Sequence, residues 1–176
     1  MFELSTSKNL GLRVVTPTVH DDHRGCFVEL FNREFFDTIG QEIRFVRDAI
    51  SVSHRNVLRG IHYDDHTWKL IQCLQGEIYF VVVDLREESS TYLKWDAFNL
   101  SEQNRSQVLV PPRHGNGHLV MSERCIFHYK LSAYYDPARE EIFKWDDERA
   151  AIDWPVSEPM LSEKDALGYD PKREAR

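Results

Sequence analysis

Short runs of β-branched, aromatic and aliphatic residues recur through the middle of the chain, each closed by turn residues, and this spacing predicts strands. The clearest are Trp68–Leu74, Glu77–Leu85, Gln107–Val110, His118–Met121 and Arg124–Ala133. Gly76 divides the first two, and Pro111-Pro112 followed by Gly115 and Gly117 divides the next pair. Many short strands with close turns predict an all-β sandwich or jelly roll rather than a parallel α/β sheet. Helical pattern is confined to two short stretches. Asn32–Ile39 reads as a helix with Asn32 as N-cap and Gly40 just past its end. Ser162–Leu167 reads as another, with Ser162 followed by Asp165 suiting a capped first turn.

Composition narrows this picture without changing it. A chain of 176 residues suits a single domain spanning residues 1–176, with a charged tail from Tyr169 to Arg176 expected to fray. Its 41% hydrophobic and 29% charged residues are those of an ordinary globular protein. The net charge of −7 argues against a nucleic-acid binder, which needs a basic face to neutralise phosphates. A single diphosphate is still within reach of two or three local arginines. Cys26, Cys73 and Cys125 are odd in number and lack C-x-x-C spacing, which points to free thiols in a reducing compartment. No apolar stretch is long enough for a signal peptide or a membrane span, so a cytoplasmic protein is expected.

Candidate chemistry starts with eight histidines, of which His62 stands out. It lies in Val57-Leu58-Arg59-Gly60-Ile61-His62-Tyr63-Asp64, leading into a strong strand run. If that segment is extended, His62, Asp64 and His66 share one face, with Arg59 nearby, as a small-molecule site at the mouth of a β-barrel requires. Two chemistries can use such a face. His62, Asp64 or His66, and His118 offer a metal the N/O ligands that suit iron, nickel, zinc or manganese. Gly115-Asn116-Gly117-His118 matches the G-x-x-H ending of one metal-cupin motif, but the paired H-x-H with a spaced glutamate is missing. Alternatively, a neutral imidazole oriented by a carboxylate, with a proton donor across the substrate, serves proton transfer. Spacing alone chooses neither the carboxylate nor the tyrosine.

A series of motifs then carries a resemblance. In order they are Asp22-x-Arg24-Gly25-x-Phe27-x-Glu29, Asn56 through His62, Lys69-Leu70 leading into Gly76-Glu77, and Val83-Asp84-Leu85-Arg86 with Ser89-x-Thr91-Tyr92. Leu100-Ser101-x-x-Asn104, Tyr129-Lys130, Trp145-Asp146-Asp147, Ile152-x-Trp154-Pro155 and Leu161-Ser162-x-Lys164-Asp165 follow. From about Val15 to Asp165 the chain resembles the dTDP-4-dehydrorhamnose 3,5-epimerase family, a metal-free branch of the cupin jelly-roll fold that is usually homodimeric. The resemblance implies a nucleotide-sugar substrate and no cofactor. It implies His62 as the base beside a 4-keto group, Asp165 as its carboxylate partner, Tyr129 as the acid on the opposite face and Lys69 at the enolate oxygen. It further implies Arg24 and Arg59 as diphosphate or sugar contacts, and Glu29 as a ligand contact of less defined role. Tyr134 and Tyr135 are further candidates for the site wall.

Several substrate-facing positions depart from the family pattern. Asp64 stands where a glutamine is usual, Cys26 where a phenylalanine follows Arg-Gly, and Phe80 where a strand carboxylate is common. Asn116 replaces a histidine and His118 an aromatic residue. Asp64, Asn116 and His118 are therefore taken as substrate-binding positions adapted to a different sugar. Asn56 to His62, Thr91 to Lys94 and the Pro111-Pro112 segment look more like the branch acting on GDP-linked 4-keto-heptoses. The expected activity is inversion at C3, C5 or both of a nucleotide-linked 4-keto hexose or heptose. A 3,4-ketoisomerase, a metal-dependent cupin oxygenase and a non-catalytic sugar-nucleotide binder are the alternatives.

Overall fold

The structure, a computed structural model, describes residues 2–39 and 42–171. Gly40 and the end of the charged tail, 172–176, lie outside these, so neither expectation is addressed. The strands are β1 (Phe2–Thr6), β2 (Arg13–Pro17), β3 (Val19–Asp22), β4 (Gly25–Val28), β5 (Arg47–His54), β6 (Leu58–Tyr63) and β7 (Lys69–Gln75). They continue as β8 (Glu77–Asp84), β9 (Trp95–Ser101), β10 (Gln107–Val110), β11 (His114–Val120), β12 (Arg124–Leu131) and β13 (Glu141–Ile142). Two short helices are present, α1 (Arg33–Thr38) and α2 (Glu163–Leu167).

A six-stranded sheet, ordered β1-β2-β10-β7-β12-β5, packs on a five-stranded sheet, ordered β13-β6-β11-β8-β9, giving the expected β-sandwich. The inner layer is apolar: Ile71 and Cys73 from β7 meet Ile78, Phe80 and Val82 from β8, with Phe127 from β12. Alternate residues of β8, Val81 and Val83, point the other way and are covered by Phe143 and Trp154 of the C-terminal segment. Likewise Leu70 and Leu109 turn outward under Phe36 of α1. Strands buried on both faces read as continuous apolar runs, which is why β7, β8 and β10 are plain in the sequence.

Helix α1 starts where expected, with the Asn32 side chain accepting from the Phe35 N–H. α2 is capped by Ser162, which accepts from the Asp165 N–H, and it ends on Gly168 in the left-handed region. One boundary differs. β11 begins at His114, so Gly115 and Gly117 lie inside a strand and not in the turn their composition suggests. They are small because β6 passes close by. A Cβ on Gly60 would stand 2.6 Å from Gly117 Cα, and one on Gly115 would stand 2.5 Å from Ile61 Cγ2.

Strand β5 has no clear signature because its alternation is inverted. Ser51 and Ser53 face inward, while Ile50 (56% exposed) and Val52 (44%) face outward. A polar inner face at one end of a sandwich is where the cavity opens.

Candidate active site

A cavity of about 440 Å³ opens between the sheets, a size suited to a small molecule. The five-stranded sheet contributes His62, Asn116 and His118. The facing sheet contributes Lys69, Phe127 and Tyr129. His62 and Tyr129 therefore reach the cavity from opposite walls.

His62 is held from behind by α2. The segment before this helix docks on β6 through Leu58 N–H to Met160 O (3.0 Å) and Met160 N–H to Asn56 O (2.8 Å). The Ser162 cap then sets the first turn so that Asp165 Oδ1 lies 2.6 Å from His62 Nε2. Asp165 is only 3% exposed. Burial works against its charged form, but the hydrogen bond and charge of His62, together with Ser162 and Lys164, hold its pKa below the ordinary value. An ionised carboxylate only accepts, so His62 Nε2 carries the proton of this bond, and in the neutral ring Nδ1 keeps a lone pair. On the Nδ1 side stands Glu140, with Oε1 at 3.9 Å and Oε2 paired with Lys164 Nζ at 2.8 Å.

Lys69, the first residue of β7, crosses toward the other sheet. Its Nζ donates to Asn116 Oδ1 (2.8 Å) and to the His62 carbonyl (3.2 Å). Burial lowers its pKa from the usual lysine value, opposed by the carboxylates of Asp64 and Glu140. The ammonium has three donors, and these two bonds leave one for the cavity it lines. Tyr129, partly buried, packs against Phe127 with centroids 5.5 Å apart. Arg59 lines the cavity and donates from Nε to Ser53 Oγ at 2.9 Å.

His118 is 3% exposed and stacks on Phe127, with centroids 4.0 Å apart and planes at 13°. Burial, with Arg59 and His62 nearby, pulls its pKa down to about 3, so the ring is neutral at physiological pH.

Two expectations are corrected, and two further residues lie away from this cavity. Arg24 and Glu29 do not reach the cavity of their own chain. Arg24 is tied to Asp22 within the β3–β4 hairpin, and Glu29 accepts from Asn32 Nδ2 at 3.3 Å. The shared strand face of His62, Asp64 and His66 is not formed either, because β6 ends at Tyr63. Asp64 Oδ1 instead accepts the N–H groups of His66 (2.9 Å) and Thr67 (2.6 Å), capping the turn, although the residue still borders the cavity. For the same reason the metal set His62, Asp64 or His66, and His118 is not assembled. The ligating groups that cluster among the described residues are Asp64, Asp65 and His66, at an exposed turn.

Sequence reasoning missed Glu140, Lys164 and Arg47, which also line the cavity. Glu140 is one acid in the charged run Arg139-Glu140-Glu141, and nothing local marks it. Tyr134 and Tyr135 both border the opening, with Arg47 over the Tyr135 ring at 5.5 Å. No helix among the described residues is long and apolar enough to cross a membrane.

The family profile described as dTDP-4-dehydrorhamnose 3,5-epimerase matches residues 8–170. A dTDP-4-dehydrorhamnose 3,5-epimerase of Methanothermobacter thermautotrophicus is 40% identical over 169 residues, covering 93% of this chain and 91% of its own. A dTDP-4-dehydrorhamnose 3-epimerase of Streptomyces niveus is 36% identical over 159 residues, covering 88% of this chain and 77% of its own. Among solved structures, the dTDP-6-deoxy-D-glucose-3,5-epimerase of Legionella pneumophila in complex with dTDP-4-keto-L-rhamnose superposes with a TM-score of 0.92 at 35% identity, covering 96% of this chain and 92% of that one. With the profile spanning nearly its whole length and a 40% identical relative aligned over 93% of it, the chain belongs to the dTDP-4-dehydrorhamnose 3,5-epimerase family of isomerases.

Proposed function

We propose that the protein inverts one or two carbons flanking the ketone of a nucleoside-diphosphate-linked 4-keto sugar. The observation that carries this reading is the placement of His62 and Tyr129 on opposite walls of one cavity, with Lys69 between the sheets. His62 Nδ1 takes the proton on the carbon beside the ketone, and the electron pair of that C–H bond moves onto the ketone oxygen as an enolate. The imidazolium is stabilised by Asp165 at 2.6 Å. Lys69 meets the negative oxygen, where a fixed cation favours the transition state over the ground state. The Tyr129 hydroxyl then delivers a proton to the other face of the carbon, the ketone reforms, and solvent restores the two protonation states. Arg59 and Arg47, on the cavity rim, suit the diphosphate.

The relatives reported above carry names with dTDP-linked sugars, and dTDP is the first nucleotide to try. The expected GDP-linked heptose remains the second arm of a substrate panel. A homodimer is part of this proposal. Phe27 (69% exposed) on the hairpin, and Ile50 and Val52 on the edge strand β5, are exposed apolar side chains suited to contacts with a second copy. Arg24 and Glu29, remote from their own cavity, would then serve the partner's.

The test is incubation with dTDP-, GDP- and CDP-linked 4-keto sugars in deuterated water, read by mass spectrometry and NMR. Deuterium enters the product, and the number of sites labelled gives the number of carbons inverted. A His62→Asn variant loses exchange by about 10²- to 10⁴-fold. Tyr129→Phe retains exchange but accumulates little inverted product. Exchange by His62→Asn at the wild-type rate would sink the role of the base. A product whose carbonyl has moved to C3 would instead mark a ketoisomerase.

A further inference from the structure

Asn116 stands directly opposite His62 in the β11–β6 pairing, so the two side chains share one face of the sheet, and both line the cavity. Lys69 ties them together from the other sheet. Its Nζ donates to Asn116 Oδ1 at 2.8 Å and to the His62 carbonyl at 3.2 Å. An ammonium only donates, so the oxygen of the Asn116 amide is the atom turned toward Lys69 and the nitrogen is turned away. That nitrogen, Nδ2, carries two N–H donors and has no hydrogen-bond partner among the described residues. It is not sealed in the wall. His118 Nε2 and Ser51 Oγ are unpaired and fully covered, whereas Asn116 Nδ2 keeps accessible surface. Asn116 is half-buried on an inner strand of its sheet, so this surface opens on the cavity.

Resting on the epimerase reading, we propose that Asn116 is a further catalytic residue, whose Nδ2 donates to the enolate oxygen beside the third N–H of Lys69. The oxygen is then held by two donors, one charged and one neutral. The oxygen and nitrogen of a carboxamide share one carbon, so Nδ2 lies close enough to Lys69 Nζ for a single oxygen atom to accept from both. When His62 takes the proton, the electron pair of the broken C–H bond arrives on the ketone oxygen. Both donors are already in place, because the bond between Lys69 and Asn116 fixes the direction of each. Donors aimed in advance at a developing charge stabilise the transition state more than the neutral ketone. If Asn116 merely steadied Lys69, its loss would matter only while Lys69 is present.

The test is a double-mutant cycle on deuterium exchange into the 4-keto sugar nucleotide that wild type labels, using Asn116→Ala, Lys69→Met and the double variant. Asn116→Ala is expected to lower kcat for exchange about 10²- to 10³-fold with little change in KM, as loss of an interaction made in the transition state requires. Asn116→Asp, which still accepts from Lys69 but presents no N–H, is expected to lose as much. In the Lys69→Met background, Asn116→Ala still lowers kcat by about 10-fold or more. Thermal melts, with calorimetric binding of dTDP and GDP, confirm that each variant is folded and keeps its nucleotide site. If either Asn116 variant exchanges at the wild-type rate, or Asn116→Ala costs nothing once Lys69 is gone, the role of Asn116 as a donor is refuted while the epimerase reading stands. If wild type exchanges no sugar proton, the epimerase reading falls and the role of Asn116 falls with it.

Discussion

Replacing Lys69 with methionine separates catalysis from stability. Lys69 Nζ spends two donors on Asn116 Oδ1 and the His62 carbonyl, at 2.8 and 3.2 Å. Its third donor is available to an oxyanion in the cavity. Loss of one donor to a developing oxyanion costs about 3–4 kcal/mol in the transition state, or roughly 10²- to 10³-fold in kcat. Stability should respond differently. Methionine forfeits two hydrogen bonds worth about 1–3 kcal/mol together, but it removes the desolvation cost of a buried ammonium, which is of similar size and opposite sign. The net change is about 1 kcal/mol or less, a melting shift of roughly 2–4 °C for a chain of this length. The pH dependence gives an independent check. Burial lowers the folded-state pKa of Lys69, so between that value and the unfolded value of about 10.4 the unfolded chain binds more protons. Stability contributed here rises with pH through that window, and Lys69→Met lacks the rise. The assay is single-turnover deuterium exchange beside urea melts from pH 7 to 10.5. A folded Lys69→Met protein retaining more than a tenth of the wild-type exchange rate would refute the assignment. An alkaline rise unchanged in Lys69→Met would show that Lys69 is not the group whose titration produces it.

Two further outcomes are expected. Asp84 is fully buried and accepts from Arg86 Nε (2.9 Å), Arg86 Nη2 (2.8 Å) and Thr91 Oγ1 (2.6 Å). Burial alone would raise its pKa, but these bonds hold it well below the usual carboxylate range. The stability they supply is complete above the unfolded value of about 3.9 and is lost as pH falls toward the folded one. Asp84→Asn should therefore cost about 2–3 kcal/mol at pH 7, and the gap to wild type should begin to narrow only as pH falls below about 3.9, as calorimetry would show. For the proposed dimer, sedimentation should give twice the chain mass, and Arg24→Ala should raise KM with little change in kcat. A monomer with full activity would exclude any role for the hairpin in a partner's site.

The parts of the fold legible in the sequence were those decided by local rules. β7, β8 and β10 are buried on both faces and announce themselves as apolar runs, and Asn32 and Ser162 mark helix starts because a side-chain oxygen must satisfy the first N–H groups. β5 was silent because the cavity reverses its alternation, placing serines inside and Ile50 and Val52 outside. β9 was silent too, because its inward Asp96 is buried to receive Ser7 Oγ and the backbone of Asn9 and Leu10, far away in sequence.

The sequence by itself determined a chain of short strands, its two helix starts and, through ordered motifs, which residues belong to the family's chemistry. Only the tertiary structure decided how those residues meet. Asp165 reaches His62 from 103 positions away, because the segment before α2 docks on β6 and the Ser162 cap aims the side chain. Asp64, adjacent to the base in the chain, is spent on a turn, while Glu140, unmarked in sequence, stands near the other ring nitrogen. The physical reason is that periodicity and capping report contacts within a few residues. Which strand faces which across the cavity is set by non-local pairing and closure of the chain, and many registers are compatible with one local pattern.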